Sequence, residues 1–238
     1  MQEKQEQTNN KNITEEQQEL QKLKSILTDL RNPETGCPWD KVQTISSIAP
    51  NTVEEAYEVQ EAAETGNYES LREEVGDLLL HVLFYSMMAE EQHFFTLKDV
   101  MTHLNNKLIS RHPHVFGDVK ANNAEEALSS WENVKSKERE NAHKKALDGI
   151  AVTLPPPDIA IKMQKRLARL APDVKETKEQ ALEKLHNMLS LLNENPDEIT
   201  AGQTYFAFIN LLRVMKINPD TALRKYNRKF KQDFDKQT

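Results

Sequence analysis

The chain has 238 residues, only six glycines and a formal net charge of −7. It is long enough to bury a sizeable core, and too acidic for a general binder of nucleic-acid backbones, which need a basic surface. One cysteine, Cys37, permits no intramolecular disulfide and points to a reducing compartment.

Strong helix formers dominate, long polar–apolar periods recur and no alternating strand stands out, so the expected fold class is all-α. Residues 1–14, rich in Gln, Asn, Glu and Lys, read as a solvated polar tail. A helix is predicted from there to about Arg31, with Leu20, Leu23, Ile26, Leu27 and Leu30 on its apolar stripe. Two prolines and a glycine make Asn32 to Pro38 a loop. Pro50-Asn51-Thr52 opens the next helix, with Thr52 or Asn51 as its cap. The break Thr65-Gly66-Asn67 lets a second helix, from about Tyr68 to Glu91, fold back antiparallel on it.

Beyond Asp77 that second helix is apolar almost all round (Leu78, Leu79, Leu80, Val82, Leu83, Phe84), the pattern of a helix buried at a bundle centre. Glu74, Asp77, His81 and Tyr85 are the polar exception, at helical spacing. Its richest apolar run, Leu78 to Met88, contains His81 and is too short to span a bilayer. Met1 to Gln18 lack the apolar core of a signal peptide, so the expected location is cytoplasmic. Thr96 to Ser110 is predicted helical, ended by Arg111-His112-Pro113-His114, and a helix from Asn123 to about Lys145 carries Trp131 and Lys135 on one face. Leu154-Pro155-Pro156-Pro157 is the strongest boundary signal, since three prolines cannot continue a helix. Three or four helices follow, the last ending near Phe234. The expected organisation is a tail over 1–14, a bundle over 15–150 and a second helical repeat over 151–238.

The halves are weakly alike. Setting Glu74-Val75-Gly76-Asp77 over Thr200-Ala201-Gly202-Gln203 aligns two apolar helices, each followed by a break and an amphipathic helix ending in basic residues. Thr200 and Gln203 stand where the first copy has acids, and the helix before them offers Glu183 with His186 rather than a carboxylate pair. The second copy cannot hold a cation in the same way.

Glu55 with Glu58, and Glu74 with Asp77, are two i, i+3 acid pairs, each on one helix face. A single such pair is ordinarily solvated surface. Two pairs on adjacent helices, one leading straight into an apolar segment, repel each other unless a hard divalent cation sits among them. Mg²⁺ takes oxygen ligands and keeps positions open for water and phosphate, so the expected chemistry is phosphate transfer to water. A carboxylate such as Glu54 would orient or deprotonate that water. Lys107, Arg111 and Lys135 are the candidate phosphate partners. The ordinary readings of the other residues are a second-shell or core role for His81, a cap or turn role for His112 and His114, a core role for Trp131 and a structural role for Cys37.

These residues resemble a known family. Gly36-Cys37-Pro38-Trp39-Asp40-Lys41, Glu54-Glu55-x-x-Glu58, Glu74-x-x-Asp77, Arg111-His112-Pro113-His114-Val115-Phe116 and Trp131-x-x-Val134-Lys135 occur in the order of the MazG family of all-α nucleoside triphosphate pyrophosphohydrolases. The resemblance covers roughly residues 20–150, with 151–238 similar to that family's second repeat only in outline. It implies Mg²⁺-dependent hydrolysis of NTP or dNTP to monophosphate and pyrophosphate, by water attack at the α-phosphorus. It implies Glu55, Glu58, Glu74 and Asp77 as metal ligands with Glu54 beside them in the catalytic set. Lys107, Arg111, Trp131 and Lys135 fall on nucleotide contacts, with Trp39 and Asn51 further candidates. A homodimer is implied as well. Ser110 stands where many relatives carry a second basic residue, a departure that weakens phosphate binding. The competing reading is a non-catalytic helical module that binds nucleotide or a protein partner, motivated by the degenerate second half.

Overall fold

The computed structural model describes residues 2–143, 145–170 and 176–236, with side chains from Thr14 onward. The protein is all-α: among the described residues there are eleven helices and no strand. It divides into two compact units, Met1–Val134 and Lys135–Thr238, ahead of the expected division at 150/151. Hydrogen bonds explain why residues 135–150 go with the second unit. Arg139 donates from Nη2 to the carbonyls of Lys145, Ala146 and Asp148 at 3.0, 3.3 and 2.8 Å. Arg166 donates to those of Ala146 and Asp148 at 3.3 and 2.7 Å.

In the first unit, α1 (Gln2–Leu30) takes in the backbone of residues expected as a tail. Their Glu, Gln and Lys content favours helix as readily as solvation. After it, α2 (Pro38–Val42) is a single turn, and α3 (Ala49–Thr65) and α4 (Tyr68–Glu91) form the hairpin that carries the acids. Gly66 ends α3 at φ 72°, a left-handed conformation that favours glycine, and the Asn67 side chain caps α4 by accepting from the Ser70 amide. The helix α5 (Leu97–Arg111) begins with a capping box between Thr96 and Asp99, and the short α6 (Pro113–Phe116) follows it.

The core of this unit is Leu27, Ile48, Leu83, Phe84 and Met88, with Leu20, Leu23, Leu80, Tyr85 and Leu97 packed against it. Each buried side chain of this size contributes about 1.5–3 kcal/mol. The expectation that α4 is buried all round needs correction. Leu83, Phe84, Met88 and Ala89 are buried, yet Val75, Leu79 and Val82, at i, i+4 and i+7, form an exposed stripe, with Leu79 and Val82 44% and 43% accessible.

Arg31 ties three parts of the unit together. Its guanidinium donates to both carboxylate oxygens of Glu91 at 2.7 and 2.6 Å, and to the backbone carbonyls of Asp40 at 2.6 Å and Gln43 at 3.3 Å. It also lies over the Phe84 ring, 5.2 Å from its centroid. The end of α1, the α2 segment and the end of α4 are thus held by one side chain that is only 9% accessible. Gly36 makes the bend possible, because a Cβ there would run into backbone oxygens of Leu30 and Asn32.

The helix α7 (Ala124–Asn141) runs across the division between units. In the second unit, α8 (Pro156–Leu170) starts inside the proline run, since a first helical turn needs no donor from proline. Then come α9 (Lys178–Glu194), α10 (Glu198–Val214) and α11 (Pro219–Asp235). Ala160, Ile161 and Ile209 form one buried cluster, and Ala181, Leu185 and Leu211 another.

Candidate active site

The α3–α4 hairpin brings the acid pairs together. One carboxylate oxygen from each of Glu55, Glu58 and Glu74 lies within 4.8 Å of the others. Asp77 belongs to the same field, because its charge acts on both Glu55 and Glu74. Moving along the hairpin, Glu58 opposes Glu74, Glu55 opposes Asp77 and Thr52 opposes His81, each step about one turn on both helices.

Burial is the first cause that raises the Glu55 carboxyl above the usual carboxylate range, followed by repulsion from Asp77 and Glu58. Glu74 is raised likewise, by partial burial and then by the charges of Glu58 and Asp77. Among the described residues Glu55 and Glu74 form no ion pair with a lysine or arginine, and their carboxyls shift as those of mutually repelling groups do. The donor set is oxygen-only, which fits a hard divalent cation and not a softer metal that prefers nitrogen or sulfur. Glu54, next in sequence to Glu55, is exposed and lies outside the three-acid cluster.

Among the basic and aromatic candidates, the Arg111 guanidinium lies 5.4 Å from the Trp131 ring centroid, so α5 and α7 present a cation stacked on an indole. Lys107 is half-buried one turn before Arg111 on α5. Lys135 stands one turn beyond Trp131 on α7. Trp39, on α2, is 57% accessible. His112 caps the end of α5, its ring Nδ1–H donating to the Leu108 carbonyl at 2.7 Å, and its ring lies against His114 with centroids 5.5 Å apart.

The expected cap of α3 needs correction. The helix starts at Ala49 with Ile48 before it, and no side chain caps it. Pro50 falls within the first turn, where it is tolerated, and Asn51 is exposed. The hydroxyl of Thr52 turns back to the Ile48 carbonyl and across to His81 and Tyr85 of α4. This junction was missed in sequence. The signal for it was the extension of the Glu74–Asp77 stripe through His81 to Tyr85, with a hydroxyl one turn before Glu55 on the facing helix.

Residues 43–116 match the MazG nucleotide pyrophosphohydrolase domain. The chain is 40% identical over 225 residues to a nucleoside triphosphate pyrophosphohydrolase of Escherichia coli K12, covering 91% of this chain and 86% of that protein. It is 37% identical over 221 residues to the nucleoside triphosphate pyrophosphohydrolase/pyrophosphatase MazG of Thermotoga maritima, covering 91% and 84%. It is also 36% identical over 223 residues to the uncharacterized protein YabN of Bacillus subtilis, in this case covering 45% of the relative.

Proposed function

The chain belongs to the MazG nucleotide pyrophosphohydrolase family, and from that premise we propose that it hydrolyses NTP or dNTP to nucleoside monophosphate and pyrophosphate, with Mg²⁺, in its first repeat. The carrying observation is the convergence of Glu55, Glu58 and Glu74 oxygens within 4.8 Å on two facing helices. Glu55, Glu58, Glu74 and Asp77 would hold the cation. Bound there, Mg²⁺ would offset the charge of the phosphates and make the α-phosphorus more open to attack.

The chain's own groups supply the rest. A water attacks the α-phosphorus, the bond to the bridging oxygen breaks, and pyrophosphate leaves with that electron pair. Glu54 accepts the proton that the water gives up. Lys107, Arg111 and Lys135 meet phosphate oxygens. Trp131, with Arg111 over it, and Trp39 offer faces to the base, and Asn51 a side-chain amide. The second repeat, 151–238, serves as a structural or dimerising module, since Thr200 and Gln203 cannot replace the acids. The exposed Val75, Leu79 and Val82 stripe of α4 supports a homodimer, because a second bundle would cover it. Among the described residues no helix is long and apolar enough to cross a membrane, and a cytoplasmic site of action suits a nucleotide substrate.

The test is a pyrophosphate-release screen over the eight common NTPs and dNTPs, with and without Mg²⁺. Monophosphate and pyrophosphate in equal amounts, formed only with the metal, are expected. Release of orthophosphate would refute the reaction, and tight nucleotide binding without product would establish the non-catalytic module instead.

A further inference from the structure

Thr52 has one hydroxyl proton and three partners. Its Oγ1 lies 3.1 Å from the Ile48 carbonyl oxygen, 2.7 Å from His81 Nδ1 and 2.9 Å from the Tyr85 hydroxyl. A carbonyl only accepts, so the Thr52 proton goes to Ile48, and the other two contacts require donors. His81 is thereby held as its Nδ1–H tautomer, and Tyr85 gives its phenolic proton to the same oxygen. Thr52, His81 and Tyr85 are all half-buried, where leaving one of these groups without its partner is costly.

The junction sits at a mechanically useful level. Thr52 precedes Glu55 by one turn on α3, and His81 follows Asp77 by one turn on α4. The four acids push the two helices apart at their own level, as the raised Glu55 and Glu74 carboxyls record. One turn away, a single oxygen joins the helices and fixes how far they slide or part. Its anchors are rigid: Ile48 is 2% accessible within the core, and Tyr85 packs against that core.

We propose that Thr52, His81 and Tyr85 are positioning residues whose shared hydrogen bonds set the α3–α4 register, and hence the spacing of the metal-binding carboxylates. This rests on the Mg²⁺ reading of the acid cluster. None of the three need touch the metal or the nucleotide. Their effect is to hold the oxygens near the distances that an octahedral cation demands, before it arrives.

The test is calorimetric titration of the full chain with MgCl₂ alone, alongside melting temperatures. Thr52→Val keeps the shape of threonine and removes the hydroxyl, and His81→Leu removes the ring donor. Each is expected to weaken Mg²⁺ about tenfold, the lower end of what outer-shell partners of a metal site cost. Thr52→Ser and His81→Gln keep a hydroxyl and a donor, and should stay within about threefold of the parent on the same scale. The double variant Thr52→Val/His81→Leu should bind no more weakly than either single one, because both break one junction.

A lowered melting temperature with an unchanged Mg²⁺ dissociation constant in Thr52→Val would overturn the proposal, since a merely structural contact behaves that way. Should Thr52→Val not fold, the contrast between His81→Leu and His81→Gln decides by the same criterion. Failure of the parent to bind Mg²⁺ at all would remove the acid-cluster reading and this inference with it, whereas equal affinity in parent and variants sinks the junction alone. Nitrogen-15 spectra of the His81 ring give an independent readout: the parent should show Nδ1 protonated, and a parent ring protonated at Nε2 alone would refute the assignment.

Discussion

The α3–α4 and α9–α10 hairpins share a plan and differ in how they treat their carboxylates. In α3–α4, Glu74 lies within the second turn of its helix and faces Glu58, and the carboxyls of Glu55 and Glu74 are raised by burial and mutual repulsion. In α10 the matching position, Thr200, lies in the first turn, and its hydroxyl and amide both donate to the capping Asp197 at 2.9 Å. Thr204 donates across the second hairpin to the Met188 carbonyl at 3.1 Å.

One acid beside this hairpin, Glu176, has its charge paired. Burial works against its charge, yet a hydrogen bond from Asn210, one from Lys184 and the charges of Lys184 and Arg213 hold it below the usual carboxylate range. One hairpin stores repulsion that a cation would relieve, and the other has spent its polar groups on caps and ion pairs. A helical hairpin alone therefore does not make a metal site.

The largest expected effect separates the hairpins by activity. Glu58→Ala or Asp77→Ala should lower Mg²⁺-dependent pyrophosphate release by roughly 10³-fold, about 4 kcal/mol of barrier, while Thr200→Ala and Gln203→Ala should leave turnover within about twofold, below 0.5 kcal/mol on that scale. Steady-state assays with matched Mg²⁺ check this, and equal losses in both hairpins would break the comparison. Next, Mg²⁺ at a hundred times its dissociation constant should stabilise the parent by about 2.7 kcal/mol. Thermal melts should show that gain vanish in Asp77→Ala and persist in Gln203→Ala.

A smaller effect has opposite signs in the two places. Without metal, Glu58→Gln relieves repulsion and should raise the melting temperature. Glu176→Gln leaves Lys184 and Arg213 without their partner and should cost about 1–2 kcal/mol, since removing one member of a partly buried pair strands the other. Denaturant titrations of both variants measure this.

The subtlest contrast is in pH. Glu55 and Glu74 have folded-state carboxyls above their unfolded value, so the folded state holds their protons more tightly. Their contribution is most favourable in acid and is lost as pH rises from the ordinary carboxylate range through the raised values. Glu176 is depressed, so its contribution is present above the unfolded value and is lost as pH falls through the folded one. Rate-corrected hydrogen exchange should thus show α3–α4 gaining protection as pH falls through the raised values toward the ordinary carboxylate range, with added Mg²⁺ removing that gain, and α9–α10 losing protection in stronger acid.

Local chemistry was legible in the chain, and long-range partnership was not. The bounds of α4 follow from the Thr65-Gly66-Asn67 break and from the long apolar run after it, and the structure gives Tyr68–Glu91. The acid pairs were visible because i, i+3 spacing puts both carboxylates on one face, whatever packs nearby. The start of α3 was misplaced because Pro50 reads as an opening signal, while the buried Ile48 sets the true entry. Arg31 gave no local sign of its role, since its partner Glu91 is sixty residues away. Periodicity marked Leu79 and Val82 as apolar, but it cannot say what covers them.

The most direct measurement is anomalous diffraction from crystals grown with Mn²⁺ in place of Mg²⁺ and a non-hydrolysable nucleotide. The account predicts a manganese peak ringed by Glu55, Glu58, Glu74 and Asp77, with phosphate oxygens completing its shell. Carboxylates turned outward with no peak between them, or a peak at the α9–α10 hairpin alone, would contradict it.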